Sequence, residues 1–363
     1  MKKTIVTLML LAVTLTAGAF DFSATTPQGQ TLYYTIVAGN TVKLVAPDGS
    51  TWDGFATPTG RLQIPSTVNH ENTTYTVVAI DKKAFAECTS LTAVTIPSTV
   101  TSIGTRAFAN DEALTSLTIE EGLQNIDAMA FISCTSLDTI VLPSTLTRIA
   151  VSAFDNTGYV NNMDNWSAVL TLSIGQWLIK VANTVSDELV VAEGTVGIAN
   201  NAFYYCRYLH GVTLPTTVRY IGSAVFQQCE VLDSVRVRAA VPPALGDECF
   251  VGTPSPTVVV PCHALSAYSA VAPWNTLPLL EAPCTDGIES VDEGMPRMTV
   301  SQVADGIELR GADRDEVSVY DMMGRRVAWV AQASDRQHVA LPAAGIYVLR
   351  LSDGQAVKVT YSK

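Results

Sequence analysis

Few residues in this chain have the types and spacing that catalysis or metal binding requires. No histidine stands beside another histidine or a carboxylate at metal-ligand spacing; the histidines are His70, His210, His263 and His338. The sequence contains no G-x-S-x-G nucleophile elbow, no H-E-x-x-H and no G-x-x-x-x-G-K phosphate loop. We therefore predict no catalytic residue, no metal, no cofactor and no enzymatic activity. An enzyme would need a cryptic site assembled from loops.

The cysteines divide into two kinds. Four recur at one position of a repeat, which favours small core thiols over a metal ladder: Cys88, Cys134, Cys206 and Cys229. Cys262 and Cys284 bracket a segment near the end of the repeats, where a disulfide could hold the last turn if the protein is exported to an oxidising compartment. Cys249 is the competing partner for such a bond.

A cluster of aromatic and basic residues is the best candidate for binding. Tyrosine and arginine dominate interface hot spots, and the cluster contains Tyr204, Tyr205, Arg207 and Tyr208, followed by His210 and Tyr220. Trp166 and Trp177 lie in a neighbouring insertion and could join it. If the aromatic side chains form an exposed platform, the ligand could be a glycan. The alternative is that these tyrosines simply pack against the flank of the fold.

A period of 23 residues organises the chain around these candidates. It is marked by pairs of a small residue and phenylalanine that end at Phe85, Phe108, Phe131, Phe154, Phe203 and Phe226. An Ile precedes each Phe by five residues, and a Cys usually follows three residues after it. A strand of the form L-x-x-V-x-I comes next and often ends in proline, which cannot donate to a central ladder. Asp111 and Thr157 replace the Cys in two repeats.

The repeat predicts a mainly β solenoid over residues 78–250. One unit cannot bury its apolar residues alone, whereas stacked copies align them into a continuous core. We expect burial of five columns, which begin with Ile80, Phe85, Leu91, Val94 and Ile96. The outward positions of the strands are small or hydroxyl-bearing. They are Ala93, Ser116, Thr139, Gly211 and Ser234 in one row and Thr95, Thr118, Val141, Thr213 and Arg236 in the other.

An insertion interrupts the period near residues 155–190. Ile149 and Ile198 are more than twice the repeat length apart, and residues 170–181 alternate as two strands around Gly175-Gln176. We interpret this segment as a hairpin lateral to the solenoid. Because insertions into repeats tend to lie on the functional face, the hairpin is expected to contribute to the working surface.

Residues outside the repeats predict caps and a second domain. Residues 20–77 alternate as strands and would form an N-terminal β cap, and residues 251–284 the opposite cap. Residues 285–296 are acidic and poor in large apolar side chains, which is typical of a linker. Residues 297–363 alternate again as seven short strands near 298–303, 307–310, 317–321, 327–331, 339–341, 346–351 and 357–361, which predicts a small Ig-like β-sandwich.

The first residues indicate export. Lys2 and Lys3 precede an apolar stretch and the small residues Ala17-Gly18-Ala19, so residues 1–19 have the pattern of a removable signal peptide. No later stretch is long and apolar enough to cross a bilayer as a helix. The formal net charge of -12 makes nucleic acid an unsuitable partner.

The repeat I-x-x-x-A-F-x-x-C-x-x-L-x-x-V-x-I-P closely resembles the BspA-like leucine-rich repeats of bacterial surface proteins from Bacteroidetes and treponemes. The resemblance covers roughly residues 78–250. It implies a leucine-rich-repeat solenoid on the cell surface or secreted, with adhesion to host matrix proteins or to other bacteria as the expected function.

The tail resembles the type A C-terminal sorting domain of type IX secretion. The resemblance rests on residues 319–327, VYDMMGRRV, and on residues 341–350, LPAAGIYVLR. It implies that residues 297–363 engage the secretion machinery and direct the protein across the outer membrane of a Gram-negative cell.

Overall fold

The structure is a computed structural model that describes residues 19–283, 299–303, 305–310, 316–321, 325–334, 336–351 and 356–361. The expected signal peptide, apart from Ala19, and the expected linker lie outside these residues. The chain divides into two compact units, Met1–Ala282 and Pro283–Lys363, which are described separately below. None of the helices in the described part has the length and hydrophobicity to span a bilayer.

An antiparallel meander starts the first unit and continues into a parallel ladder. Its strands are Phe22–Thr25, Thr31–Ala38 and Thr41–Val45. The last of them pairs in parallel with Thr73–Ile80, whose start also pairs with Thr67–His70. Short strands extend this sheet, called sheet 1, at Ser102–Ile103, Asn125–Ile126 and Arg148–Ile149.

Longer parallel strands form the facing sheet of each coil. Sheet 2 contains Gly60–Gln63, Leu91–Ile96, Ser116–Ile119 and Thr139–Val141. After the insertion, sheet 3 contains Thr171–Ile174, Trp177–Val181, Gly197–Ile198, Tyr220–Ile221 and Ala244–Leu245. Sheet 4 contains Ser186–Val190, Tyr208–Leu214, Ser234–Val237, Thr257–Val260 and Leu279–Glu281. The strands of the complete repeats pair in register with the 23-residue period, as Ala93 does with Ser116, which confirms the solenoid.

Stacked phenylalanine rings run through the core of the coils. Phe85, Phe108, Phe131 and Phe154 stack with centroids 5.0, 5.1 and 5.4 Å apart, and none is more than 1% exposed. Trp52 continues the column into the cap at 6.2 Å from Phe85. A second column resumes after the insertion with Phe203, Phe226 and Phe250. The predicted columns of Ile, Phe, Leu, Val and Ile are buried as expected in the first two complete repeats.

The third repeat departs from this burial because the insertion ends sheet 2. Thr139–Val141 is the last strand of that sheet, and Ile140 and Leu142 are only partly buried. The chain turns away at this point, and the Tyr159 N–H donates to the Leu137 carbonyl at 2.7 Å. The insertion therefore covers the end of the first stack of coils.

The hairpin in the insertion is present, but it is not lateral to the solenoid. Thr171–Ile174 pairs antiparallel with Trp177–Val181, as the alternation predicts. Trp177–Val181 then pairs in parallel with Gly197–Ile198, and Ser186–Val190 pairs in parallel with Tyr208–Leu214. The second half of the insertion is thus an irregular coil of the solenoid, which the sequence interpretation missed because its spacing differs from the repeat.

The C-terminal end of the first unit is closed by aromatic residues. The parallel ladder continues past residue 250 to Leu279–Glu281, further than the sequence predicted. Tyr268, in the helix Leu265–Ser269, packs edge-on against Trp274, and both side chains are buried. The Tyr268 hydroxyl donates to the Ala239 carbonyl at 2.7 Å. Trp274 lies in the 3-10 helix Trp274–Thr276, and its ring nitrogen donates to the Pro243 carbonyl at 2.8 Å.

The second unit contains strands close to those predicted. One sheet contains Thr299–Val303, Gly306–Arg310 and Arg336–Ala340. The other contains Arg326–Val330, Val317–Asp321, Gly345–Leu351 and Ala356–Tyr361. Side chains from both sheets, such as Leu309 and Leu349, share one buried core. The described part of this unit is therefore a small sandwich with its own core.

Replacing Phe131 by Ala should lower the free energy of unfolding by about 3–5 kcal/mol, because a ring stacked between two others leaves a cavity that its neighbours cannot refill. Chemical denaturation measures the loss. The control is Val141→Ala, since Val141 is 52% exposed and its truncation should change stability by less than about 0.5 kcal/mol. Equal effects of the two substitutions would contradict the assigned core.

Candidate functional site

The first part of the insertion folds on itself. The helix Gly158–Asn161 begins after Thr157, whose side-chain oxygen accepts a hydrogen bond from the Val160 N–H. A 3-10 helix follows at Met163–Asn165. Trp166 is half-buried, and its ring nitrogen donates to the Val160 carbonyl at 2.9 Å. Trp166 therefore serves mainly to hold the insertion together, and its polar atom is not free for a ligand.

Trp177 is a packing residue, which corrects its assignment as a ligand-binding residue. Its side chain is only 4% exposed and stacks on Tyr220 with ring centroids 6.2 Å apart. A side chain at Gly197 would lie 2.6 Å from the Trp177 ring, so this glycine is what allows the indole to pack against the next coil. Trp177 therefore cannot join an exposed aromatic platform, which was the condition for the glycan alternative.

Tyr204, Tyr205 and Arg207 of the predicted cluster contact one another on the flank of one coil, and Tyr208 follows them in sequence. Tyr204 and Tyr208 are 49% and 62% exposed, and the Tyr204 ring stacks on Tyr205 at 5.9 Å. The Arg207 guanidinium lies 3.9 Å from the centroid of the Tyr205 ring and 3.0 Å from Glu230. Arg207 is thus held by a cation–π contact and an ion pair. We call Tyr204, Tyr205, Arg207 and Tyr208 the tyrosine–arginine cluster.

Tyr205 has an unusual backbone conformation. Its φ of 66° lies in the left-handed region, which is costly for a bulky side chain. The same position of other coils has a left-handed φ as well, with small or flexible polar residues in place of tyrosine: Glu87, Asn110, Ser133, Asn156 and Gln228. Tyr205 is therefore a bulky residue at a left-handed position that these other coils fill with small or flexible polar residues.

A groove of about 440 Å³ lies beside the cluster, where the first stack of coils ends. Residues 149–155 form one wall, and residues 179–181 and 199–202 form the other, together with Tyr204 and Gln227. We call this cavity the junction groove. Because Tyr204 belongs both to the groove and to the cluster, the two form one continuous surface. No sequence pattern marked the groove, since its walls consist of ordinary repeat residues.

A second cavity of about 500 Å³ lies between the N-terminal cap and the first corners. Its lining includes two cations and two carboxylates, namely Lys83, Arg106, Asp53 and Glu87. The opposite charges give it no net preference for an anion or a cation. Sequence reasoning missed this cavity because the cap loop that closes it has no repeat pattern.

The buried thiols are not nucleophiles. Burial raises the pKa of Cys229 and of Cys249 to about 11 and that of Cys206 to about 12, so these thiols stay protonated at neutral pH. The Cys229 thiol donates to the Phe203 carbonyl at 3.1 Å, which is a structural use. Among the described residues, no group of three or more His, Cys, Asp and Glu could hold a metal ion.

Asp111 places a carboxyl group in the column of thiols. Its side chain is 0% exposed, Oδ1 accepts a hydrogen bond from the Cys88 N–H at 2.8 Å, and Oδ2 has no hydrogen-bond partner among the described residues. Burial raises the pKa of Asp111 well above its usual range; the bond from Cys88 opposes this effect and the charge of Glu87 adds to it. Asp111 is sealed from solvent, so its perturbed pKa reflects core packing rather than catalysis.

Cys262 is disulfide-bonded, whereas Cys249 is a free, buried thiol. The competing pairing of Cys262 with Cys249 is therefore wrong. Cys284 lies outside the described residues, and its pairing with Cys262 stays a prediction.

Coils built from a short strand, a corner and a longer parallel strand, repeated every 23 residues, define a leucine-rich-repeat solenoid. The BspA type leucine rich repeat region matches residues 66–176 and 183–270 in six copies, which together make up more than half of the chain. The chain belongs to this family. The gap between the matched ranges falls on the irregular coil.

Solved structures of similar proteins come from several bacteria. A leucine-rich repeat protein from Bacteroides capillosus is 31% identical over 36% of this chain and 91% of its own, with a TM-score of 0.32. The T. pallidum leucine rich repeat protein is 23% identical over 64% and 85%, with a TM-score of 0.30. A leucine rich cell surface protein from Faecalibacterium prausnitzii is 20% identical over 73% and 96%, with a TM-score of 0.26. No curated protein matches the chain.

Replacing Asp111 by Thr should stabilise the protein increasingly as the pH rises. A carboxyl whose pKa is higher in the folded than in the unfolded state contributes most below its unfolded pKa, and this contribution is lost as the pH rises towards the folded pKa. The advantage of the variant should therefore grow as the pH rises from about 4 towards neutral, by at most about 1.4 kcal/mol per pH unit. Urea unfolding across this range measures it.

Threonine suits this column, because the Thr253 hydroxyl accepts a hydrogen bond from the Cys229 N–H and donates to the Phe226 carbonyl. Glu112→Thr is the matched control: it removes the same charge from an exposed neighbour of Asp111. A stability difference for Asp111→Thr that is constant with pH would show that the buried carboxyl is not protonated in the folded protein.

Proposed function

We propose that this protein is exported to the cell surface and binds other proteins there, as an adhesin for host matrix or bacterial surface proteins. The observation that carries the proposal is the tyrosine–arginine cluster. Tyr204 and Tyr208 are exposed on one coil beside Arg207, which is paired with Glu230, and Tyr204 also borders the junction groove. Tyrosine and arginine give large contact areas for little loss of side-chain freedom, which is why they dominate hot spots.

The outward rows of the long strands are weaker candidates for the binding surface. Thr95 is half-buried and Thr118 is exposed, but neither offers a large contact area. Gly211 is covered by the Glu188 carboxylate, which would lie 2.2 Å from an added Cβ, and Thr213 is only 9% exposed. A ligand on these rows would find few anchors. The flank with the cluster is therefore the better site.

The solenoid itself supports tight binding at this flank. Its coils are fixed by main-chain hydrogen bonds and stacked rings, so the surface needs little ordering when a partner arrives. The Arg207 ion pair with Glu230 and its contact with Tyr205 hold the guanidinium in place before binding. A preorganised arginine loses less side-chain entropy on binding than a free one.

We also propose that residues 297–363 act as a sorting domain for export through the type IX route. The support is the resemblance of residues 319–327 and 341–350 to such domains. Pro283–Lys363 is a compact unit with its own core, as a separable export signal requires. Together with the expected signal peptide at residues 1–19, this domain would give the protein two successive export steps.

Replacing Tyr204, Arg207 and Tyr208 together by Ala should weaken binding of a protein ligand by more than about 2 kcal/mol, because aromatic and arginine anchors carry most of the energy of an interface. The ligand is first found by screening the purified first unit against arrayed matrix proteins, bacterial surface proteins and glycans. Surface plasmon resonance then measures the affinity of the parent and the variant.

The control for this experiment replaces Thr95 and Thr118 by Ala and should leave the affinity unchanged. The melting temperature of both variants should stay close to that of the parent, since all the replaced side chains are at least partly exposed. Loss of binding in the threonine variant alone would move the site to the outward rows. A ligand found only among glycans would contradict the protein-binding proposal.

Deleting residues 297–363 should leave the melting transition of the first unit unchanged, because the two units have separate cores. In cells, the truncated protein should accumulate in the periplasm instead of reaching the surface. Protease shaving of intact cells, with fractionation of the remainder, measures its location. Surface exposure of the truncated protein would contradict the sorting role.

A further inference from the structure

Main-chain hydrogen bonds between neighbouring coils repeat at every complete corner. Lys83, Phe85 and Glu87 donate their N–H groups to carbonyls of the next coil at 3.0, 2.7 and 2.9 Å. We call this set of three bonds the corner ladder. The equivalent donors are Arg106, Phe108 and Asn110 in the second coil, Met129, Phe131 and Ser133 in the third, Asn201, Phe203 and Tyr205 after the insertion, and Ala224, Phe226 and Gln228 in the coil after that.

The corner ladder is broken at the junction groove. Ser152, Phe154 and Asn156 occupy the donor positions in the last coil of the first stack, but their N–H groups have no acceptor among the described residues. On the opposite wall, the carbonyls of Asn200 and Tyr204 stand at the acceptor positions and receive no N–H within the described part. One wall therefore offers unpaired donors, and the other offers unpaired acceptors.

The irregular coil explains the break. In this coil Leu178 takes the position of the Ile that precedes each Phe of the repeat by five residues, as its parallel pairing with Ile198 shows. These two residues are closer in sequence than the 23-residue repeat would place them, and the Ala-Phe corner is missing between them. At the corner position, the Val181 N–H donates to the Ala202 carbonyl of the next coil at 2.8 Å. The groove is the space that a complete corner would fill.

Leaving these groups unpaired has a cost. Phe154 is 1% exposed, so its N–H is largely shielded from bulk water, and an unpaired buried donor costs about 1–3 kcal/mol. The Asn200 N–H donates to the Ile149 carbonyl at 2.9 Å, which fixes the spacing of the two walls at one end. An added main chain could satisfy both walls at once.

We propose that the junction groove binds the main chain of an unpaired polypeptide segment of the partner protein, which takes the place of the missing corner. This inference rests on the proposed protein-binding function and names the chemistry of the partner. In the conformation of an ordinary corner, a segment directs its carbonyls towards the preceding coil and its N–H groups towards the next coil, as Ala107 and Phe108 do, which matches the two walls. Since these bonds involve only the main chain, the groove tolerates different sequences, and the adjoining tyrosine–arginine cluster selects among them.

The test uses an acetylated and amidated peptide that copies residues 147–157 of this chain. In the folded protein this segment already supplies the carbonyls of Val151, Ala153 and Asp155 to the equivalent donors of the preceding coil. Amide hydrogen exchange of the first unit is followed by NMR with and without millimolar peptide. Without peptide, the amides of Ser152, Phe154 and Asn156 should exchange much faster than those of Met129, Phe131 and Ser133. With peptide, the first three should become protected.

A blocking variant and its matched control locate the binding. Ser152→Arg should weaken peptide binding by at least about tenfold, because the arginine at the same corner position of an earlier coil, Arg106, reaches across to Met129 of the next coil at 3.4 Å. The corner tolerates arginine there, since Arg106 and Ser152 share a φ of 56°. Met129→Arg places the same side chain at an intact corner and should leave peptide binding unchanged.

Three results would overturn the inference: equal protection of both sets of amides without peptide, unchanged exchange with millimolar peptide, and equal peptide binding by Ser152→Arg and the parent. An N-methylated peptide should bind more weakly, because it lacks donors for Asn200 and Tyr204, and equal binding would also contradict the proposal. These readouts do not depend on the protein array, so the inference and the proposed function fail or succeed separately.

Discussion

Hydrogen bonds and ring stacking between neighbouring coils hold this protein together, because a single coil has too little apolar surface to be stable alone. The corner ladder and the phenylalanine column repeat in the same register, with rings such as Phe85 and Phe108 separated by 5.0 Å. A coil of a different length cannot satisfy both. The irregular coil therefore ends one stack after Phe154 and starts another before Phe203, and the surface features of the molecule follow from that break.

The buried columns of Ile, Phe, Leu and Val could be predicted from the sequence because the same residue types recur at the same positions in each repeat. A single substitution such as Asp111 therefore does not hide the pattern. The strands of the tail were predictable from simple alternation. The stacking of Trp52 on the phenylalanine column could not be predicted, because Trp52 lies in a loop that does not follow the repeat. Leu178 and Leu189 also fill core positions, but the unequal spacing between them and their neighbours conceals the coil to which they belong.

The candidate site could be predicted only in part. Residue type identified the tyrosine–arginine cluster, because a run of tyrosines beside an arginine is unusual in a repeat whose outward positions are small. Residue type gave the wrong prediction for Trp177. Whether this tryptophan is buried depends on the space that the neighbouring coil leaves, and Gly197, which has no side chain, leaves room for the indole ring. The junction groove had no signal at all. Its unpaired donors belong to Ser152 and Phe154, which fit the repeat, and only the missing coil beside them makes them different.

The junction groove differs from the two ends of the solenoid in that its unpaired main-chain groups are not covered. Unpaired main chain invites association, so proteins usually cover it. The two ends of this stack are covered, by Trp52 with the meander at one end and by Tyr268 and Trp274 at the other. The break at Phe154 is not covered, although a complete corner of the ordinary repeat would close it. An open ladder beside a tyrosine in a strained conformation costs stability that ordinary packing would recover, and the proposed binding of a partner's main chain would account for that cost.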